Sequence, residues 1–240
     1  MTQAKFEQNR ASLFEGLARG DQYGGPLTMA RILYDSLEAN QGLDQEDIAA
    51  RYLAWWRTDA FDTGPVFDAV FQKIDEGIPY AKAAQDVHEE INGATAGCNP
   101  AHRIAPLALF DFVSIQDLGK LARTEARITH WHPIAGDMAA LMAYLCRFLL
   151  DGYTWDDAKL MTQSMEPEAW KALKQASVST DGYAPNVMRT AVEFLDQPDS
   201  LKSAKEFAGI GNYCPVIVGA LDALRNQCVT TNNRHLQSSK

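Results

Sequence analysis

The sequence predicts an all-α protein, and three observations carry that expectation. Apolar residues recur at spacings of three and four along nearly the whole chain, the period of a buried helix face, while strict two-residue alternation is scarce. The apolar stripes are separated by helix start and stop signals. With 240 residues, 46% of them hydrophobic, the chain is long enough for one sizeable helical core.

In chain order, Met29, Ile32, Leu33 and Leu37 form one stripe, closed near Asn40-Gln41-Gly42. Asp44 has the chemistry of an N-cap, and Ile48, Tyr52, Leu53 and Trp56 make the buried face of the helix it starts. Val66, Val70, Phe71 and Ile74 continue the pattern until Gly77-Ile78-Pro79 ends it, and a helix over 80–91 precedes a turn at Asn92–Gly97. Pro133 suits a first helical turn, with Met138, Leu141, Met142, Leu145 and Leu149 as its broad apolar face up to Asp151-Gly152. Helices over 155–165, around Val187 to Leu195 and over 202–208 follow, and Val216 to Leu224 reads as buried. Trp55, Trp56, Trp155 and Trp170 fall on helical spacings and belong to core or rim. No linker, fixed-period repeat or low-complexity tract interrupts this, so residues 1–229 are expected as one helical domain and 230–240 as a polar tail.

The bulk properties narrow the partners. The formal charge of −9 repels phosphate backbones, and no basic run exceeds two residues, so nucleic-acid binding is disfavoured. Cys98, Cys146, Cys214 and Cys228 lack metal-ligand spacing and read as free thiols of a reducing cytosol. The polar N-terminus has no apolar signal core, and the apolar stretch from Met138 to Leu150 is broken by Arg147 and too short for a bilayer. A cytoplasmic protein with a small-molecule ligand and no membrane contact is expected, and a protein partner stays open.

Five stretches in order then resemble a known family. They are Gly16-Leu17-Ala18-Arg19-Gly20-Asp21-Gln22-Tyr23-Gly24, Phe61-Asp62-Thr63-Gly64, and the loop from Ala96 to Pro106 containing Cys98-Asn99-Pro100-Ala101-His102-Arg103. Thr129-His130-Trp131-His132-Pro133 and the segment from Gly209 to Leu221 complete the set. Together they resemble the ADP-ribosylglycohydrolases and the related dinitrogenase-reductase-activating glycohydrolases, from about Leu13 to Leu224. The resemblance implies that family's single-domain orthogonal bundle of helices.

The departures fall on the chemistry. The family holds two Mg²⁺ ions with aspartates of a T-D-D-T segment and of a late D-x-D-T, because a hard cation takes oxygen ligands and two close cations need several negative charges. Here Gly24-Gly25-Pro26-Leu27 runs straight into Thr28-Met29, and the late aspartate positions read Ile210 and Asn212, with Tyr213 for the threonine. Neither a metal nor another cofactor is expected.

In such a fold the loops bearing Asp62, Cys98, Asn99, His102, His130, Tyr183, Asn186, Asn212, Tyr213 and Cys214 converge on one cavity. Asp62, which the family places beside ribose, could pair with His102 in acid–base chemistry, the carboxylate fixing the ring tautomer; otherwise His102 is a surface or capping histidine. Cys98 or Cys214 could be a nucleophile if a helix N-terminus or an imidazole favours its thiolate, or else a small buried hydrophobe. Arg103 could hold a carboxylate or phosphate, Asp21 is a ligand contact or a helix-end hydrogen bond, and His130 is expected to bond a backbone carbonyl. Asn99, Tyr183, Asn186, Asn212 and Tyr213 complete the expected binding set. Two functions remain: a metal-independent enzyme acting on a small polar substrate, or a catalytically dead protein that binds ADP-ribose, a related nucleotide or an ADP-ribosylated protein. A hydrolase with a single unusual ion stands behind both.

Overall fold

Local chemistry sets the helix ends in the computed structural model, which describes the backbone of residues 1–209 and 212–237 and side chains as far as Gln227, apart from Asp59. Thr2 caps α1 (Gln3–Gly20) by accepting from the amide of Lys5, and α2 (Gly25–Asn40) starts with Pro26 in its first turn. The side chain of Asp44 accepts from the amides of Glu46 and Asp47 and so starts α3 (Gln45–Asp59), as its position suggested. Then come α4 (Pro65–Asp75), α5 (Tyr80–Glu90), the short α6 (Asn99–Arg103) and a 3-10 turn at Ala105–Leu109. Ser114 caps α7 (Ile115–Ala126), His132 caps α8 (Pro133–Leu150) and Thr154 caps α9 (Trp155–Met165). The series closes with α10 (Pro167–Gln175), α11 (Ala184–Leu195), α12 (Ser200–Ala208) and α13 (Cys214–Gln237). Among the described residues there is no strand, and the one β-type pairing is a bridge between Gly97 and Tyr183.

Several expectations change at this level. Helices α1, α6, α7 and α10 are additions to the expected set, and each buries few large apolar residues: Leu13 and Leu17 in α1, Leu118 in α7, Trp170 and Leu173 in α10. The boundary expected at Thr230 falls inside α13, which continues to Gln237; residues 238–240 lie outside the described residues. The stretch expected to be too short for a bilayer belongs to the 18-residue α8, which by length and apolarity could cross one. It is instead the central core helix, 72% buried and packed against α6, α7, α9, α10, α11, α13 and the 3-10 turn. The cation within it is used structurally: Arg147 donates to the carbonyls of Ala108 (2.7 Å), Val113 (3.0 Å) and Phe110 (3.0 Å), pinning the chain between the 3-10 turn and α7.

Helix α1 lies along α13 at very close range. A Cβ on Gly16 would stand 2.4 Å from the carbonyl oxygen of Gly219, and one on Gly219 2.3 Å from that of Gly16. Neither helix can take a side chain there without separating, because the obstacle on each side is backbone. Gly16→Ala is therefore expected to destabilise the fold by about 1–3 kcal/mol, as overpacking does, read as a lower urea midpoint at unchanged slope.

Candidate functional site

Asp21 follows the last turn of α1. Its Oδ1 accepts from the amides of Tyr23 (3.1 Å) and Gly24 (2.7 Å), and its Oδ2 from that of Leu27 (2.8 Å). Both oxygens thus cover amides that the start of α2 leaves unpaired, the helix-end role allowed for above. Across α2 passes the α3–α4 loop, whose carbonyl at Asp62 lies so close that a Cβ on Gly25 would meet it at 2.4 Å. Asp62 is held at φ 54°, a left-handed conformation uncommon outside glycine. Its Oδ1 accepts from the hydroxyl of Tyr213, and its Oδ2 is buried without a partner.

Beneath the loop runs a buried polar chain. The carbonyl of Thr63 accepts from Asn99 Nδ2 (2.8 Å), and Asn99 Oδ1 accepts from Arg103 Nη1 (2.5 Å). Arg103 Nε donates to Glu125 Oε1 (2.7 Å) and Nη2 to Thr129 Oγ1 (3.0 Å), while its guanidinium lies over the Tyr52 ring at 5.2 Å. Tyr52 in turn donates to the Met29 carbonyl (3.2 Å) or to Glu125 Oε1 (3.3 Å). Thr129 Oγ1 also meets His130 Nδ1 at 2.9 Å.

These elements enclose a cleft of about 280 Å³, lined by Asp62, Cys98, Asn99, His102, His130 and Tyr213 together with apolar wall residues such as Val66 and Phe67. Tyr213 also borders a second cleft of about 390 Å³ with Asp21, Lys205 and Asn212. Tyr183 is 45% exposed and lies in an adjoining, open groove with His132 that shares Ala94, Gly97 and Gly182 with the first cleft. The side chains of Asn186 and Asn212 are engaged within the protein: Asn186 binds the amide of Ser177 and the carboxylate of Asp181, and Asn212 binds the carbonyls of Ser179 and Asp181 and caps the amide of Cys214. Ile210 lies outside the described residues.

The chemistry proposed for these residues needs correction at four points. Arg103 is fully buried and spends its guanidinium on Glu125, Asn99 and Thr129, so it does not reach a ligand. Cys98 stands at the start of α6 and Cys214 at that of α13, yet burial pushes both thiols up to about 12, which opposes the thiolate a nucleophile requires. His102 makes no hydrogen bond with Asp62; it stacks on Tyr213 at 5.1 Å, and Tyr213 takes the carboxylate instead. His130 bonds the Thr129 hydroxyl rather than a backbone carbonyl. Burial first, and then the charge of Arg103, lowers His102 to about 3 and holds His130 well below the ordinary imidazole value. Burial and the charge of Asp21 raise the Asp62 carboxyl, against the lowering effect of the Tyr213 hydroxyl, and the Tyr213 phenol is raised by burial and by Asp62. Glu125, Tyr52 and Thr129 join the site without having been among the expected site residues. Glu125 was the readable one, a carboxylate on the buried face of α7 beside Leu118 and Ala122.

The profile of the ADP-ribosylglycohydrolase family matches residues 6–228. The ADP-ribosylhydrolase ARH3 of Mus musculus is 26% identical over 205 residues, 79% of this chain and 53% of that protein. Its Homo sapiens counterpart is 30% identical over 138 residues, 54% of this chain and 36% of that protein. The chain thus spans about half, or less, of the length of these curated relatives. A solved structure described as an ADP-ribosylglycohydrolase-related protein complex shares the fold, with a TM-score of 0.69 at 23% identity over 92% of this chain and 88% of that one.

Two neutral buried histidines make stability depend on pH. Their folded-state pKa values lie below the unfolded value, so the stabilisation is complete above about pH 6.5 and is lost as pH falls toward the folded values. Between pH 7 and 5.5 the two together are expected to cost about 2 kcal/mol, measured by urea unfolding. His102→Asn should remove about half of that dependence.

Proposed function

The chain belongs to the ADP-ribosylglycohydrolase family, and from that premise we propose that it binds a small ribose-bearing ligand such as ADP-ribose without paired magnesium ions and without rapid turnover. One observation carries this reading: the carboxylates at the clefts are already engaged. Asp21 gives both oxygens to backbone amides and Asp62 gives one to Tyr213. Among the described residues no group of three or more His, Cys, Asp or Glu side chains could hold a metal ion. Two Mg²⁺ ions require a dozen or so oxygen ligands between them and several negative charges to offset their repulsion. The residues present do not fit that pair of ions.

The neutral character of the cleft supports binding over reaction. Its thiol is held protonated, its two histidines are held neutral, and Tyr213 is far from ionising. What remains is a set of fixed hydrogen-bonding groups with apolar walls, the usual make-up of a ligand site. At about 280 Å³ the cleft approaches the lower end of the range for small-molecule sites, and the adjoining cleft beyond Tyr213 adds about 390 Å³.

A second reading, slow metal-independent hydrolysis with Asp62 as general base, is favoured by the left-handed backbone of Asp62 and its raised carboxyl. Asp62→Asn separates the two. Asparagine keeps an acceptor for Tyr213 and tolerates the left-handed backbone. A carboxyl with a raised folded pKa loses stability as pH rises through it, so removing the charge should leave the melting temperature at pH 7 unchanged or higher. Calorimetry with ADP-ribose in EDTA should give binding in the micromolar range, weakened at least tenfold by Asp62→Asn. No heat with the wild-type chain would overturn the binding reading. EDTA-resistant release of ADP-ribose from a modified protein, lost in Asp62→Asn, would establish the second.

A further inference from the structure

The polar chain under the cleft allows the proton of one histidine to be placed. Thr129 Oγ1 receives a hydrogen bond from Arg103 Nη2 at 3.0 Å and lies 2.9 Å from His130 Nδ1. A guanidinium can only donate, so in that contact the hydroxyl accepts. The hydroxyl has one hydrogen of its own, and among the described residues the acceptor in reach is His130 Nδ1. Thr129 is fully buried, so water cannot take that hydrogen instead. Nδ1 must then carry the lone pair.

We propose that Arg103 and Thr129 are positioning residues that hold His130 as the tautomer protonated at Nε2, so that the cleft presents a fixed N–H donor beside Gly97 to an oxygen acceptor of the ligand. Gly97 and His130 both line the cleft, and a Cβ on Gly97 would stand 3.0 Å from Nε2. Glycine at this position leaves that nitrogen its working room. Burial, with the nearby charge of Arg103 and the ring of His102 adding to it, keeps the imidazole neutral, so this wall suits a phosphoryl, carbonyl or hydroxyl oxygen and disfavours an ammonium group. The tautomer follows from the hydrogen bonds of the unliganded protein; only its use on a ligand rests on the binding reading above.

Long-range proton–nitrogen correlation spectra of the ¹⁵N-histidine-labelled chain report which ring nitrogen carries the proton in each of its five histidines. His130→Gln identifies the His130 signals by their loss. At neutral pH without ligand, His130 is expected to show a protonated Nε2 and an unprotonated Nδ1. Thr129→Val, which removes the donor, should shift it toward the Nδ1-protonated form, and Thr129→Ser should restore the original pattern. A wild-type His130 protonated at Nδ1 overturns the proposal outright, whether or not the valine variant folds, and so does an unchanged pattern in a folded Thr129→Val. On adding ADP-ribose the Nε2 signal should move. If calorimetry shows binding and that signal stays fixed, the ligand half is wrong. If ADP-ribose does not bind at all, the binding reading fails and takes the ligand half with it, while the tautomer result stands.

Discussion

The buried pairing of Arg103 with Glu125 is the constraint around which the site is arranged. Both side chains have no solvent exposure, at 2.7 Å from each other. Desolvating two charges costs several kcal/mol each, and their attraction offsets this only if the remaining hydrogen-bonding capacity is also met. That requirement accounts for the neighbours of the guanidinium, whereas Glu125 Oε2 is buried without a partner. Asn99 and Thr129 supply acceptors to the other two guanidinium nitrogens, and Tyr52 covers the face of the guanidinium. Each of these residues belongs to a different part of the chain. Satisfying one cation therefore fixes α3, α6, α7 and the turn before α8 relative to one another, and Asn99 extends the tie to the loop that carries Asp62.

The same charge shapes the cleft from behind. Arg103 is near enough to His102 and His130 to help lower both, yet no part of its guanidinium is exposed to the cleft. A cation placed there adds to the burial that keeps its histidine neighbours uncharged, without offering a ligand a charge to bind. The wall they form is a set of neutral donors and acceptors facing one carboxylate. A site of that kind discriminates by hydrogen-bond geometry more than by charge.

Much of the fold could be read from the chain because helix periodicity and capping are local. Asp44, Pro133 and the 155–165 helix needed only their near neighbours to be recognised. The poorly read helices are those whose burial depends on distant partners. In α1 the decisive feature is two glycines, Gly16 and Gly219, that matter only when α13 lies across them. The site was legible as a gathering of loops: six of the expected residues do line one cleft. Which groups face a ligand was not legible, since that depends on who else is present. Arg103 resembles a ligand-binding arginine until Glu125 and Thr129 occupy its fork. Asn186 resembles a pocket residue until the amide of Ser177 and the carboxylate of Asp181 take its side chain. Long-range partners of single polar groups leave no periodic trace in a sequence.

The two carboxylates at the clefts show how an acidic pair persists with neutral partners. Asp21 adds to the upward shift of Asp62, so the two repel. Each is held by a different device. Asp21 accepts three backbone amides at the start of α2, where the partial positive charge of a helix N-terminus favours an anion. Asp62 lies at the loop crossing that same helix start and takes the Tyr213 hydroxyl. The Asp62 carboxyl is raised mainly by its burial, and one of its oxygens keeps no partner. An oxygen of that sort, buried beside a stacked His102–Tyr213 pair, loses least when a ligand hydroxyl arrives to bond it, because the cost of stripping its water has already been met in folding. That preorganisation is what supports the proposed binding of a ribose at this cleft.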